Sequence, residues 1–163
     1  MRKIYFIRHA KSIKDGVTPD FERGLAERGK ISAKTMGERL LKRGAKPKAF
    51  FTSPARRALR TAEIIAREIG FNKDKITLCD ELYEASAEDL VAFLRGLSDK
   101  KSCIFVVCHN PAITEVCELL SDSAIDNIPT CGVFCIDFDA QSWREIAPHT
   151  GRAVFFDYPK KKD

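Results

Sequence analysis

Apolar and polar positions along this chain follow two alternating rhythms. Short, nearly continuous apolar runs at residues 3–7, 48–52, 75–78 and 102–108 read as strands, and strands apolar on both faces suit a sheet covered on both sides. Between them the spacing changes to three and four, the helical period. Residues 25–43 predict a helix with Leu25, Ile31, Met36, Leu40 and Leu41 on its apolar stripe and Gly44 as a stop. Ser53-Pro54 has the chemistry of a helix start, with Ser53 as N-cap and Pro54 in the first helical position. Leu59, Ala62, Ile65, Ala66 and Ile69 continue that stripe to Gly70. Ser86, with Asp89 three residues on, has the form of a capping box opening a helix to about residue 97. Pro111 opens a last helix that ends near residue 120.

The final third changes character. Residues 133–138 and 143–147 flank a polar turn at 139–142 and predict an antiparallel hairpin, with 154–156 as one more short strand. No repeat or low-complexity linker interrupts the pattern. The order βαβαβαβα followed by a β-meander predicts an α/β fold: a three-layer α/β/α sandwich, its central sheet mostly parallel with an antiparallel edge. It predicts one domain over residues 1–163, enough chain to bury a two-sided core without staples.

Composition narrows the picture. With 44% hydrophobic and 31% charged residues the chain reads as an ordinary globular protein. No apolar stretch approaches the roughly 18 residues of a membrane span, and residues 4–7 are too short an apolar run for a signal peptide. The expectation is a cytoplasmic protein that does not engage a membrane. Most of the six cysteines fall in apolar segments and read as small hydrophobes. Cys103 and Cys108 fall on opposite faces of one strand, which with the absence of a CxxC pair argues against a metal site. The net charge of +5 fits an anionic substrate or an acidic partner. No basic stripe with interleaved aromatics is present, so nucleic acid is not the expected partner. Lys160, Lys161 and Lys162 read as a solvated tail, and His149, in Pro148-His149-Thr150-Gly151, as a surface turn.

Candidate chemistry sits where the two most apolar strands end. Ile4-Tyr5-Phe6-Ile7 runs into Arg8-His9, and Cys103-Ile104-Phe105-Val106-Val107-Cys108 runs into His109-Asn110-Pro111. In open α/β sheets ligands bind beyond the carboxyl ends of the strands. His9, Ser53 and His109 all follow such ends, and Arg57 lies one turn into the helix after Ser53. A single histidine at a strand end is usually structural, and Arg56, Arg57 and Arg60 alone would read as a solvated face. Their joint placement on one rim, beside two helix N-termini, instead suits a phosphate dianion.

Several motifs carry a family resemblance. Arg8-His9-Ala10 resembles the RHG signature of the histidine phosphatase superfamily, which contains phosphoglycerate mutases and acid phosphatases. Ser53-Pro54-Ala55-Arg56-Arg57-Ala58, followed by Thr61-Ala62, matches that family's S-P-x-x-R-A-x-x-T-A helix, and Val106-Val107-Cys108-His109-Asn110 its second histidine motif. Asp20-Phe21-Glu22-Arg23-Gly24-Leu25 with Gly29 resembles the D-x-x-R-x-L-x-x-x-G element of the short SixA-type phosphohistidine phosphatases. Ala10 and Cys108 stand where glycine is frequent, and Gly24 where that branch often has proline. The resemblance implies a phosphoglycerate mutase-like fold and a metal-independent phosphatase without a cofactor. It implies His9 as nucleophile, Arg8 and Arg57 as the clamp on the phosphoryl oxygens, and His109 as a further stabiliser. Arg23, Ser53 and Asn110 become candidate substrate-binding residues. Glu81 is the candidate general acid, with Glu84 second, although both also read as plain loop carboxylates. The implied substrate is phosphohistidine on a phosphotransfer protein. The alternatives are a small phosphate ester, or a non-catalytic phospho-binding role.

Overall fold

The computed structural model describes residues 1–161, so Lys162 of the expected tail lies outside the described residues. Lys160 and Lys161 are exposed, as expected of a tail. The regular elements run β1 (Arg2–Arg8), α1 (Glu27–Lys42), β2 (Ala49–Thr52), α2 (Arg56–Ile69), β3 (Thr77–Leu78), α3 (Ala87–Arg95), β4 (Cys103–Cys108), α4 (Ala112–Leu120), β5 (Val133–Phe138) and β6 (Gly151–Asp157). They form one six-stranded sheet in the order β3-β2-β4-β1-β5-β6. β1 to β4 are parallel, while β5 pairs antiparallel with β1 and β6 antiparallel with β5. Among the described residues no helix is long and apolar enough to cross a membrane.

Alternation along the strands builds two cores. Ile4, Phe6, Ile104, Val106, Phe134 and Ile136 face α3 and α4, where Leu90, Leu94, Ile113, Val116 and Leu120 meet them. Tyr5, Ile7, Phe105, Val107, Val133 and Cys135 face α1 and α2, packing on Ala33, Met36, Leu40, Ala58, Ala62 and Ile65. Both faces are therefore covered, which is why Ile4–Ile7 of β1 and Cys103–Cys108 of β4 are apolar at consecutive positions. Cys103 and Cys108 belong to opposite cores, as their odd spacing requires.

The structure corrects four local readings. Ile31 and Leu41 are exposed; α1 buries Met36 and Leu40 as expected, together with Gly29, Ala33 and Gly37, whose small side chains let the helix lie close to its neighbours. Residues 143–147 do not form a strand. Ser142 and Glu145 close a capping box around a 3-10 turn, Trp143–Glu145, and the buried Trp143 ring donates through Nε1 to the Lys101 carbonyl at 2.9 Å. The partner of β5 is β6, a longer strand than residues 154–156 suggested. Ser53 does not cap α2, which begins at Arg56 after Ala55. Ser53 directly follows β2, its N–H donating to the Val107 carbonyl of β4 at 3.0 Å, and its hydroxyl is engaged elsewhere.

One glycine secures the segment after the first histidine. A Cβ on Gly29 would lie 2.1 Å from the Lys11 carbonyl oxygen, so only glycine lets α1 approach the chain there. The same carbonyl accepts the Ala26 N–H at 2.9 Å. Gly29→Ala is expected to cost about 1–3 kcal/mol by overpacking against backbone, read as a lower urea midpoint with an unchanged slope.

Candidate active site

The two central strands deliver the two histidines. β1 and β4 pair in parallel from Lys3 opposite Cys103 to Arg8 opposite Cys108, so His9 and His109 leave the sheet side by side, ring centroids 5.0 Å apart. His9 is buried. Its Nδ1 lies 2.9 Å from the Ala10 carbonyl, an oxygen that can only accept, so Nδ1 carries the proton. Nε2 is left with its lone pair, and Arg57 Nε donates toward it at 3.4 Å. Burial, helped by the neighbouring His109 ring and the Arg57 and Arg8 cations, lowers the His9 imidazole to about 3; burial, then Arg57, lowers His109 to about 4. Both rings are therefore neutral near pH 7.

α2 places the next group. Arg57 is buried; besides His9 it reaches the Asp20 carbonyl through one terminal nitrogen at 2.7 Å and the Asp20 carboxylate through the other at 3.1 Å. Thr61, one turn on, donates to the Arg57 carbonyl at 2.7 Å and accepts the Ala10 N–H at 2.9 Å. That hydroxyl ties α2 to the residue following His9, which accounts for a threonine at this place in the motif.

Two polar atoms at the site have no partner among the described residues. Arg8 donates one terminal nitrogen to the Ile128 carbonyl at 2.9 Å, yet its Nε is buried and unpartnered, as is Nδ1 of His109. Buried polar atoms are usually satisfied, so an unmet pair beside one cavity points to a group that arrives from outside. The cavity, about 350 Å³, is lined by Arg8, His9, Arg23, Arg57, His109 and Asn110 with further polar residues of the 11–14 segment and Thr130. Its lining, among the described residues, contains no carboxylate.

Ser53 and Asn110 are both engaged by neighbouring groups of the protein. The buried Ser53 hydroxyl lies 2.7 Å from His109 Nε2 and accepts the Ala55 N–H at 3.2 Å, so it orients the second histidine from behind. Asn110 reaches the cavity wall, but its amide donates to Asn127 Oδ1 and the Ile128 carbonyl, and its oxygen accepts from Thr114. It braces the loop that holds Arg8. Arg23 does line the cavity, fixed by Ser12 at 2.6 Å and Asp20 at 2.9 Å. Glu81 is exposed and lines neither the cavity nor its neighbours, because the 3-10 turn Asp80–Leu82 buries Leu82 in its place. Glu84, held at φ 60°, instead lines an adjoining hollow with His109 and Asn110. Cys108, before the second histidine, is fully buried and its thiol is pushed up to about 12 by burial. His149 lies in an exposed turn at φ 61°, paired with Asp122.

Asp20 and Tyr83 carry no role in the sequence reading, yet both are central. The Asp20 carboxylate joins Arg57, Arg23 and the Tyr83 hydroxyl, the last at 2.6 Å. The Tyr83 bond first, then Arg23 and Arg57, hold that carboxyl well below the usual carboxylate range. Asp20 was visible as the first residue of its motif; Tyr83, 63 residues away, gave no signal.

The tautomer and burial give a measurable consequence. The carbon-bound ring protons of His9 and His109 should hold their neutral shifts from pH 8 down to about 5 in free protein. Because folding depresses both groups below 6.5, stability should fall as pH drops from about 6.5 toward 4. His9→Asn and His109→Asn should each flatten that slope in thermal melts.

Comparison with known proteins agrees with this geometry. The model of the histidine phosphatase superfamily (branch 1) matches residues 4–93, which include Arg8, His9, Asp20, Arg23 and Arg57. The chain belongs to the histidine phosphatase superfamily. Two mitochondrial serine/threonine-protein phosphatases Pgam5, from Drosophila mojavensis and Drosophila willistoni, are each 40% identical over 85 residues. Those matches cover 52% of this chain and 29% of each relative. Among solved structures, a putative phosphohistidine phosphatase SixA from Agrobacterium tumefaciens superposes with a TM-score of 0.81 at 24% identity, covering 97% of this chain and 98% of that one. A protein histidine phosphatase SixA complexed with tungstate gives 0.82 at 18% identity, covering 96% and 97%. The fold is thus the SixA-type, phosphoglycerate mutase-like one.

Proposed function

We propose that this chain is a phosphohistidine phosphatase that works through a covalent intermediate on His9. The observation that carries the choice of substrate is the charge state of the site. The cavity lining has no carboxylate among the described residues, and the nearby Asp20 is held ionised by Tyr83, Arg23 and Arg57. An ionised carboxylate cannot protonate the oxygen leaving group of an ester. A phosphoramidate needs no such donor, since its nitrogen leaving group can already carry a proton near neutral pH. The SixA-type fold and the name of those neighbours support the same reading.

In this mechanism Nε2 of His9 attacks phosphorus as the bond to the substrate imidazole breaks, its electron pair leaving with that ring. Arg8 Nε, His109 Nδ1 and the Arg57 guanidinium meet the phosphoryl oxygens. Water then attacks phosphorus, the bond to Nε2 breaks, and inorganic phosphate leaves with the water's oxygen. The cationic side chains supply the charge neutralisation, so the proposed reaction calls for no metal.

One observation favours a second reading. The Pgam5 relatives are named serine/threonine phosphatases, and Glu84 lines the hollow beside His109, from where a carboxylic acid could serve an ester. A rate comparison decides between the two. A histidine-phosphorylated protein should be hydrolysed far faster than a panel of phosphate esters, with Glu81→Gln and Glu84→Gln close to wild type. Preference for the esters, with their hydrolysis lost in Glu84→Gln, would overturn the phosphohistidine assignment.

A further inference from the structure

A second cleft, about 300 Å³, adjoins the catalytic cavity and shares Lys11 and Thr130 with it. Lys11, Arg28 and Lys160 line it from three separate segments of chain: the stretch after His9, the first turn of α1, and the residues beyond β6. None of the three forms an ion pair or a side-chain hydrogen bond among the described residues, and no carboxylate among them lines the cleft. Other surface clefts differ in that respect. One beside α2 includes Asp15, Glu22 and Glu63, and the next along includes Glu63 and Glu68.

The cleft is built rather than incidental. Arg39 donates to the Asp157 carboxylate at 3.1 Å and to the Tyr158 and Pro159 carbonyls at 3.0 and 3.1 Å, which pins the chain beyond β6 against α1. The opposite wall is fixed by the Gly132 N–H on the Pro129 carbonyl and by the Cys131 N–H on the His9 carbonyl, at 2.9 and 3.0 Å. Gly29 keeps α1 in contact with the Lys11 backbone, so Arg28 stands at the cleft. Tyr158 and Pro159 add an apolar wall to the three cations. Unpaired positive charge beside an apolar surface suits a peptide carrying a carboxylate next to an apolar residue.

The geometry points to this cleft as a subsite for an acidic side chain near the phosphorylated residue of a protein substrate. It sets which phosphoprotein is accepted, while the catalytic cavity sets which bond is cleaved. This rests on the reading of the His9 cavity as a phosphatase site for a phosphorylated protein.

The test uses the full chain and two synthetic phosphohistidine peptides that differ only in having glutamate or glutamine beside an apolar flanking residue. Wild type should show a KM roughly tenfold lower for the glutamate peptide, the size of one well-placed charge pair. Arg28→Ala combined with Lys160→Ala should erase that difference while leaving kcat and the KM for phosphoramidate ion unchanged. Equal KM for the two peptides in wild type would overturn the subsite. So would a double variant that slows phosphoramidate as much as the peptides. If neither phosphohistidine peptide is cleaved, the substrate reading fails instead, and the same pair made with phosphoserine reports on the cleft. Tighter competitive inhibition by inorganic pyrophosphate than by phosphate, abolished in the double variant while the peptides stay equal, would assign the cleft to a second phosphate and overturn the peptide assignment.

Discussion

Replacing His9 with alanine is expected to abolish both turnover and the labelled phosphoenzyme. The loss should be at least about 10⁴-fold, because removing a nucleophile removes a pathway rather than one contact within it. The variant should still fold. Among the described residues the His9 ring bonds only to the Ala10 carbonyl and the Arg57 Nε, and the β1–β4 register does not depend on it. Brief incubation with a ³²P-labelled phosphohistidine protein, quenched in alkali, should trap label on wild type and on His109→Ala but none on His9→Ala. Equal label on wild type and His9→Ala, or none on wild type, would sink the covalent mechanism.

Arg57→Lys should cost about 10²–10³ in kcat/KM, although charge is conserved. The guanidinium uses all three of its nitrogens in different directions, toward His9 Nε2, the Asp20 carbonyl and the Asp20 carboxylate. An ammonium is a point charge on a flexible stem and cannot hold that fork. The variant should also loosen the 3-10 turn Asp20–Glu22, because two of the bonds between that turn and α2 come from Arg57. Faster amide exchange there, with the rest of the sheet unchanged, would separate this loss from general unfolding. Wild-type kcat/KM in the Arg57→Lys variant would show that the fork is dispensable.

Much of this was legible in the chain because sheet burial and site chemistry both write themselves locally. Strands covered on both faces are apolar at consecutive positions, so β1 and β4 declared themselves, and Arg8-His9 and His109-Asn110 at their ends marked the rim. What failed to show was governed by contacts between distant residues. Ser53 looked like a cap because Ser-Pro often is one, but its hydroxyl is taken by His109, 56 residues on. Trp143 lies in an apolar stretch with strand-like composition, yet the bond from its ring to the Lys101 carbonyl and the Ser142–Glu145 capping box make it a turn. Ile31 and Leu41 fitted a helical stripe by size, whereas the buried face pairs Met36 and Leu40 with Gly29, Ala33 and Gly37, because the helix lies so near α2 and the Lys11 backbone. Tyr83 is a half-buried loop aromatic of ordinary appearance until Asp20 is placed against it.

The pairing of Arg8 with Cys108 ties heredity to geometry in an unusual way. Since neighbouring strand residues point to opposite faces, a one-codon insertion or deletion inside β1 would leave His9 encoded yet turn its ring toward the wrong core. The same change in the loop at residues 14–18, whose side chains hydrogen-bond only within the exposed turn around Asp15, would leave both rings in place. Mutational tolerance in this protein should therefore track strand phase: substitutions at many strand positions should be survivable, while length changes between residues 3 and 8 or 103 and 108 should not.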